Sequence, residues 1–375
     1  MTSFSFDLLR RWPDIEAPNL YAVDATDRLL LDTAKAELAD AEKDSVVAIG
    51  DRYGALALGA AALHSAAGIR VHQDGLSQEH AIVANAERFG LSERIVMRPL
   101  DDDLVSGARV ILVQLPRSLD ALDEIAGLIA RAASPDVRVF AGGRVKHMTS
   151  AMNEVLGKSF GSVNAGLARQ KSRVITASAP QPCGTQRWPQ SRRHDDLGLT
   201  IWAHGAAFAG NQIDVGTRFL LDYLDAVPAG ARDVVDLGCG TGVLATDFAK
   251  RRPDAFVTAT DQSAAAAASA GLTAEANGVG DRVTVQRDDG MSALPDASVD
   301  AVLLNPPFHI GASVHAGIAL KLFAEAARVL RPGGTLLAVW NSHLRYRAQL
   351  ERLVGRTTQL GRNAKFTVTA SRRPD

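Results

Sequence analysis

The chain has 375 residues, 46% hydrophobic and 22% charged, with a net charge of −1 and two cysteines. That composition suits a globular protein long enough for two domains with cores of their own, and it excludes a bulk polycation, a disulfide scaffold and a zinc cage built from cysteine alone. Met1–Pro13 lacks the apolar centre of a secretion signal, and the Ala/Gly-rich stretch Ala55–Ala67, broken by His64 and Ser65, is too short and weak to span a bilayer. A cytoplasmic location is therefore expected.

In chain order, the first clear element is the apolar run Ser45–Ile49, stopped by Gly50. Asp74 follows Gly50 by 24 residues, and Gln114-Leu115-Pro116 begins 64 residues after it. Pro180, Pro182, Gly184 and Pro189, with few apolar neighbours, mark a linker over 176–196 between a domain at 1–175 and another at 197–375. Beyond it, Val234–Leu237 is a short apolar run stopped by glycines, hence a buried strand. Val243–Lys250 reads as a helix, and Phe256–Thr260 as a strand ended by Asp261. Ser263–Asn277 is an alanine-rich helix and Arg282–Gln286 a strand. Asp300–Leu304 is a further strand, Ile318–Leu330 a helix, Pro332-Gly333-Gly334 a turn and Thr335–Trp340 a last strand. Strands alternating with helices imply parallel sheets covered on both faces.

The two halves repeat one grammar. Gly50 matches Gly238, Asp74 matches Asp261, which follows Gly238 by 23 residues, and Gln114 matches Asn305, 67 residues after Gly238. The fold expected is α/β, two tandem doubly wound Rossmann-like domains with a degenerate N-terminal copy. In that copy Ala48 replaces Asp236, Arg52 replaces Gly240, and Gln-Leu-Pro replaces Asn-Pro-Pro. Arg52 and Tyr53 should obstruct close approach of the backbone to a ligand.

Chemistry gathers in the second half. Gly238, Gly240 and Gly242 form a G-x-G-x-G turn between strand and helix, where the backbone can approach a cofactor without a Cβ clash. The third glycine comes two residues after the second, unlike the dinucleotide pattern. Asp236 suits the amino group of a methionine moiety. Asp261 suits ribose hydroxyls, with Ser263 the better helix cap. Asp289 could accept from an adenine amino group beside the Gly290 N–H, and Asp288 competes for that role.

Asn305-Pro306-Pro307-Phe308 is the most specific signal. Two prolines stiffen the loop. The Asn305 side-chain carbonyl and the Pro306 backbone carbonyl can bracket an –NH₂ group, while Phe308 offers a flat face to a base. Such a site orients an amino nitrogen for methyl transfer without a strong base. A metal is not required.

Charge is uneven along the chain. From Arg331 onward nine basic residues face only Glu351 and Asp375, and Arg187, Arg192, Arg193 and His194 form a second cluster. Local basic surfaces on a neutral protein suit a structured nucleic acid, although a solvated face would look the same.

On these residues the chain resembles the class I S-adenosylmethionine-dependent methyltransferases. More narrowly, it is similar to the bacterial ribosomal RNA guanine-N2 methyltransferases that pair a decayed N-terminal copy with an active C-terminal one. Phe208 with Ile213–Phe219 is similar to that family's segment that closes over the cofactor, although the family usually has Ser-Arg where this chain has Ala209-Gly210. Leu167–Arg173, Asn341–Tyr346 and Asn363–Phe366 look closer to the large-subunit (23S) enzyme than to the small-subunit (16S) one. The resemblance implies S-adenosylmethionine as cofactor and a guanine in ribosomal RNA as acceptor, in a loop or protein-poor region, with the N-terminal copy positioning RNA and a monomer favoured. The alternatives are a 16S target, DNA adenine N6, a protein glutamine amide, or a non-catalytic assembly factor that keeps the pocket.

Overall fold

Short apolar runs, each ended by a glycine or an acid and followed by a segment rich in alanine or leucine, fold as alternating strands and helices. The computed structural model describes residues 3–181, 187–306 and 312–375, with side chains from residue 317 in the last stretch, and it divides into two units at Trp188/Pro189.

The first unit opens with α1 (Ala25–Thr33) and α2 (Lys35–Ala39). It continues through β1 (Val46–Ile49), α3 (Ala55–His64), β2 (Ile69–His72), α4 (Leu76–Phe89), β3 (Ile95–Met97) and α5 (Asp102–Val105). Then come β4 (Val110–Gln114), α6 (Leu119–Ala132), β5 (Arg138–Arg144), α7 (Ser150–Gly157), β6 (Phe160–Ala165) and β7 (Ser172–Pro180). The second unit begins with the hairpin β8 (Gln190–His194) and β9 (Leu199–Ala203), then α8 (Val215–Leu221). It follows with β10 (Asp233–Leu237), α9 (Val243–Arg251), β11 (Phe256–Asp261), α10 (Ala264–Ala276) and β12 (Val283–Arg287). It closes with β13 (Val299–Leu304), α11 (Ala312–Val329), β14 (Leu330–Asn341), α12 (Arg347–Leu353), β15 (Thr357–Arg362) and β16 (Phe366–Arg372).

The sheet orders are β3-β2-β1-β4-β5-β7-β6 and β12-β11-β10-β13-β14-β16-β15. These are one topology written twice, five parallel strands closed by an antiparallel pair, as the repeated spacing predicts. Alternate residues of the central strands feed opposite cores. Val234 packs with one cluster of the second unit while Val235 and Leu237 pack with the other. In β1, Val47 and Ile49 separate in the same way from Val46 and Ala48. Burial on both faces is what a parallel sheet requires.

Two local readings differ from the structure. Within 176–196, residues 176–180 finish β7 and Gln190–His194 are β8, so strands occupy most of the described stretch read as a linker. Exposed Gln190–His194 has no apolar alternation to reveal a strand; it is held as one by pairing with β9. The turn at Pro332–Gly334 is an excursion inside β14: Val299 pairs with Leu330, and Ala301 with Thr335.

Candidate active site

The loop after β10 is tied to the end of β11. The N–H groups of Gly238 and Cys239 donate to the Thr260 carbonyl at 2.8 and 2.9 Å, and Gly240 N–H donates to Asp261 Oδ2 at 2.9 Å. Asp261 Oδ1 accepts from Ser263 N–H at 2.9 Å, and Ser263 Oγ caps α10 through Ala266 N–H. Asp261 therefore braces the glycine loop, a role beyond the ribose contact expected of it. Gly238, Gly240 and Gly242 have φ of +70°, +54° and +76°, a left-handed region open to glycine at little cost. They serve different ends. A Cβ on Gly242 would stand 2.9 Å from Ala270, so this glycine lets α9 and α10 approach. A Cβ on Gly238 or Gly240 would meet nothing within 4 Å, so the loop has open space above it.

Asp236 is buried under that loop. Its Oδ2 accepts from Ala245 N–H in the first turn of α9 at 2.9 Å, while Oδ1 finds no partner among the described residues. Burial, with the nearby charge of Asp261, pushes its carboxyl up to about 7. A buried oxygen in want of a donor suits a cationic or N–H-bearing ligand. Neighbouring Cys239 is a buried thiol whose pKa is raised well above the ordinary value by desolvation, so it is no nucleophile.

Asn305 follows β13 directly at the same sheet edge, since Leu304 is in register with Leu237 of β10. Its Nδ2 donates to Asp214 Oδ2 at 3.0 Å and to Thr217 Oγ1 at 2.9 Å. Asp214 is the N-cap of α8, accepting from Gly216 N–H at 2.8 Å and Thr217 N–H at 3.2 Å. An ionised carboxylate only accepts, so the amide must face it with its nitrogen. Asn305 Oδ1 is thereby turned the other way, buried and without a partner among the described residues. A Cβ on Gly216 would stand 3.2 Å from that oxygen, and glycine leaves it room.

The remaining expectations fall as follows. Pro306 is buried; Pro307, Phe308 and His309 lie outside the described residues. Asp289 meets Lys321 Nζ of α11 at 2.7 Å, and Gly290 takes φ +104°. Asp288 is buried and shapes its own turn through Ser292 Oγ and Ala293 N–H. Phe366 is buried in the core. Sequence reasoning named Asp214 and Thr217 only as part of Ile213–Phe219 and missed their link to Asn305, which spans some ninety positions. It named Asn341 only within Asn341–Tyr346 and gave it no site role, although it ends β14 with a buried Oδ1 of its own lacking a partner among the described residues. A third omission is the row Ser269, Thr273 and Asn277. Spaced by four along α10, it accepts from the backbone N–H groups of His204, Trp202 and Thr200. The spacing was visible, and it fixes β9 beside the site.

Two family models match the chain: "RLMG N-terminal domain" over residues 1–181 and "Methyltransferase small domain" over residues 198–370. The ribosomal RNA large subunit methyltransferase G of Streptomyces coelicolor is 36% identical over 373 residues, covering 96% of each chain. The protein of that name from Pseudomonas putida is 34% identical, covering 98% of this chain and 97% of its own. The chain belongs to the ribosomal RNA large subunit methyltransferase G family. Among solved structures, a Thermus thermophilus 16S rRNA N2 G1207 methyltransferase, in complex with AdoMet and guanosine, matches with a TM-score of 0.75 at 20% identity over 93% of this chain and 92% of that one. This likeness shows a shared fold.

As a member of this family the protein is an S-adenosylmethionine-dependent methyltransferase. Its second unit fits that cofactor: open space over Gly238 and Gly240, an orphaned carboxylate oxygen on Asp236, and an acid at the end of β11. The first unit has filled the matching place. A Cβ on Gly50 would lie 3.2 Å from the Gln114 carbonyl. The carboxylate lost at Ala48 reappears at Asp51, whose Oδ2 accepts from Ala57 N–H of α3 at 2.8 Å and whose Oδ1 accepts from Gly54 N–H at 3.1 Å. Gln114 Nε2 donates to Asp27 of α1, as Asn305 does to Thr217. Tyr53 is buried with its hydroxyl on Asp14 at 2.7 Å, whereas Arg52 stays exposed, so only the tyrosine fills the loop inward.

Proposed function

We propose that this methyltransferase modifies the exocyclic N2 of a guanine in large-subunit (23S) ribosomal RNA, acting in the cytoplasm. Asn305 Oδ1 is the observation that carries the reading: a buried carbonyl, aimed by Asp214 and Thr217, with no donor of its own among the described residues. It accepts one N–H of the guanine amine, and the Pro306 carbonyl accepts the other. The nitrogen lone pair is then directed along the remaining axis. As the new N–C bond forms, positive charge develops on that nitrogen and both carbonyls stabilise it. The surplus proton leaves to water afterwards, so no side chain with a raised pKa is needed.

The cofactor supplies an electrophilic methyl group on a sulfonium. Gly238 and Gly240 would admit its close approach, Asp236 Oδ1 would accept from its ammonium, and Asp261 would accept from its ribose. Asp289 and Gly290 would border the adenine end, and Gly242 sets the helix behind the loop. Pro307 and Phe308 are assigned to the acceptor from their place in the sequence after Asn305 alone, Phe308 as the stacking face expected there. Most of the acceleration comes from placement of two reactants, a gain that orientation alone can supply.

Labelled S-adenosylmethionine, incubated with protein-free large-subunit RNA, small-subunit RNA and intact subunits, followed by nucleoside analysis, tests the reading. Label in N2-methylguanosine from large-subunit RNA is expected. Label in a different nucleoside, or only in small-subunit RNA, would overturn it.

A further inference from the structure

β10, β13 and β14 are neighbours in the second sheet and run parallel. Asp236 lies level with Leu303, and Leu304 with Ala338. Side chains alternate between the faces of a sheet. Val234, Leu303, Leu337 and Val339 pack with one core cluster, whereas Leu304, Ala338 and Trp340 pack with the other. Asp236, Asn305 and Asn341 therefore stand on the same face. In each, Oδ1 is buried and has no partner among the described residues. The three form a diagonal row. Each step moves one strand sideways and two residues toward the carboxyl ends. Strands about 4.8 Å apart with a rise of about 3.3 Å per residue put successive Cα atoms of the row roughly 8 Å apart, close enough for two asparagine side chains to meet one base.

Asn341 is held firmly at its end of the row. It pairs with Phe366 of β16, and the next residue, Ser342, donates its N–H to the Lys365 carbonyl at 2.9 Å. Ser342 Oγ lies 2.8 Å from Thr367 Oγ1. Asn363 Oδ1 accepts from the N–H groups of Lys365 and Phe366 at 2.9 and 2.7 Å, which fixes the partner strand. Phe366 also links the two asparagines. A Cβ on Gly216 would stand 3.3 Å from the Phe366 ring and 3.2 Å from Asn305 Oδ1.

The row has a chemical order. Asp236 lies under the glycine loop, Asn305 meets the amine to be methylated, and Asn341 lies beyond it, on the side away from that loop. The base-pairing edge of guanine presents the N2 amine, then N1–H, both donors, and then O6, an acceptor. With the Asn305 and Pro306 carbonyls on the amine, the next donor is N1–H. We propose that Asn341 reads the acceptor base, its Oδ1 accepting the guanine N1–H. Adenine carries a lone pair at N1 and would leave that oxygen without a donor. A buried acceptor left unpaired penalises the wrong base without any steric block. The proposal rests on guanine N2 being the methyl acceptor, and it adds the residue that recognises this purine.

The test compares two protein-free RNA fragments that span the guanine labelled by the wild type. One carries guanine at that position and the other 2-aminopurine, which keeps the amine but has a lone pair at N1. In single-turnover methylation the wild type should prefer guanine by about tenfold or more. Asn341→Ala should slow the guanine fragment about tenfold or more and leave the 2-aminopurine fragment nearly unchanged, so the preference collapses. Asn341→Asp, which keeps an acceptor oxygen, should retain the preference, and cofactor affinity should hold in every variant. If Asn341→Ala melts early, Asn341→Leu, closer in volume, replaces it. A folded variant without the oxygen that keeps the wild-type preference, or one that slows both fragments equally, would overturn the proposal alone. A wild type that labels no guanine would sink the substrate reading, and this proposal with it.

Discussion

Replacing Asp214 by alanine separates an aimed amide from a merely present one. The carboxylate accepts from Asn305 Nδ2 at 3.0 Å and also caps α8 through two backbone N–H groups. Loss of the cap should cost about 1 kcal/mol of stability, a drop of about 2–4 °C in melting temperature for a unit of this size. A hydrogen bond to a charged group contributes about 1.5–3 kcal/mol. If that energy holds the amide in register as the N–C bond forms, kcat should fall about 10- to 150-fold, with KM for RNA little changed. Thr217→Val removes only the hydroxyl acceptor at 2.9 Å. It should cost about 0.5–1.5 kcal/mol, or roughly 2- to 12-fold in kcat. Single-turnover methylation at saturating cofactor reads both values, and thermal melting reads the cap. A folded Asp214→Ala protein with wild-type kcat would refute the claim that this carboxylate aims Asn305.

Other outcomes follow from the same geometry. Gly240→Ala puts a Cβ into the open space above the loop at φ +54°, so cofactor affinity by calorimetry should drop at least tenfold; unchanged affinity would place the cofactor elsewhere. Asp236 titrates at about 7 when folded and near its ordinary value of about 4 when unfolded, so the folded state binds the extra proton between these limits. Its contribution to stability is full below about pH 4 and is lost as pH rises through about 7. Asp236→Asn should therefore raise the melting temperature more at pH 8 than at pH 4; an equal shift at both would contradict the raised value. Thr273→Val removes the acceptor of Trp202 N–H and should destabilise the second unit by about 1–3 kcal/mol, read by denaturant unfolding.

Legibility followed locality. The glycine loop, Asp236, Asp261 and Asn305 could be read because each sits at the end of a short apolar run, where strand pattern and breaker residues coincide. The duplication was legible as spacing, and the two sheet orders agree strand for strand. What escaped depends on contacts between distant positions. The orientation of Asn305 is set from α8, and the match of Asp51 to Asp236 is hidden because the carboxylate moved three positions along the chain. β15 and β16 carry threonine, glycine and arginine among their apolar residues and are held by antiparallel pairing, β16 with β14 and β15 with β16, a pattern no short window announces.

The most direct test of the central claim is single-turnover methyl transfer to large-subunit RNA by Asn305→Ala, alongside wild type, with cofactor affinity measured on the same preparations. If the Asn305 carbonyl orients the guanine amine, cofactor binding should persist while N2-methylguanosine formation falls by at least two orders of magnitude. Methylation at the wild-type rate by a folded Asn305→Ala protein would contradict the account.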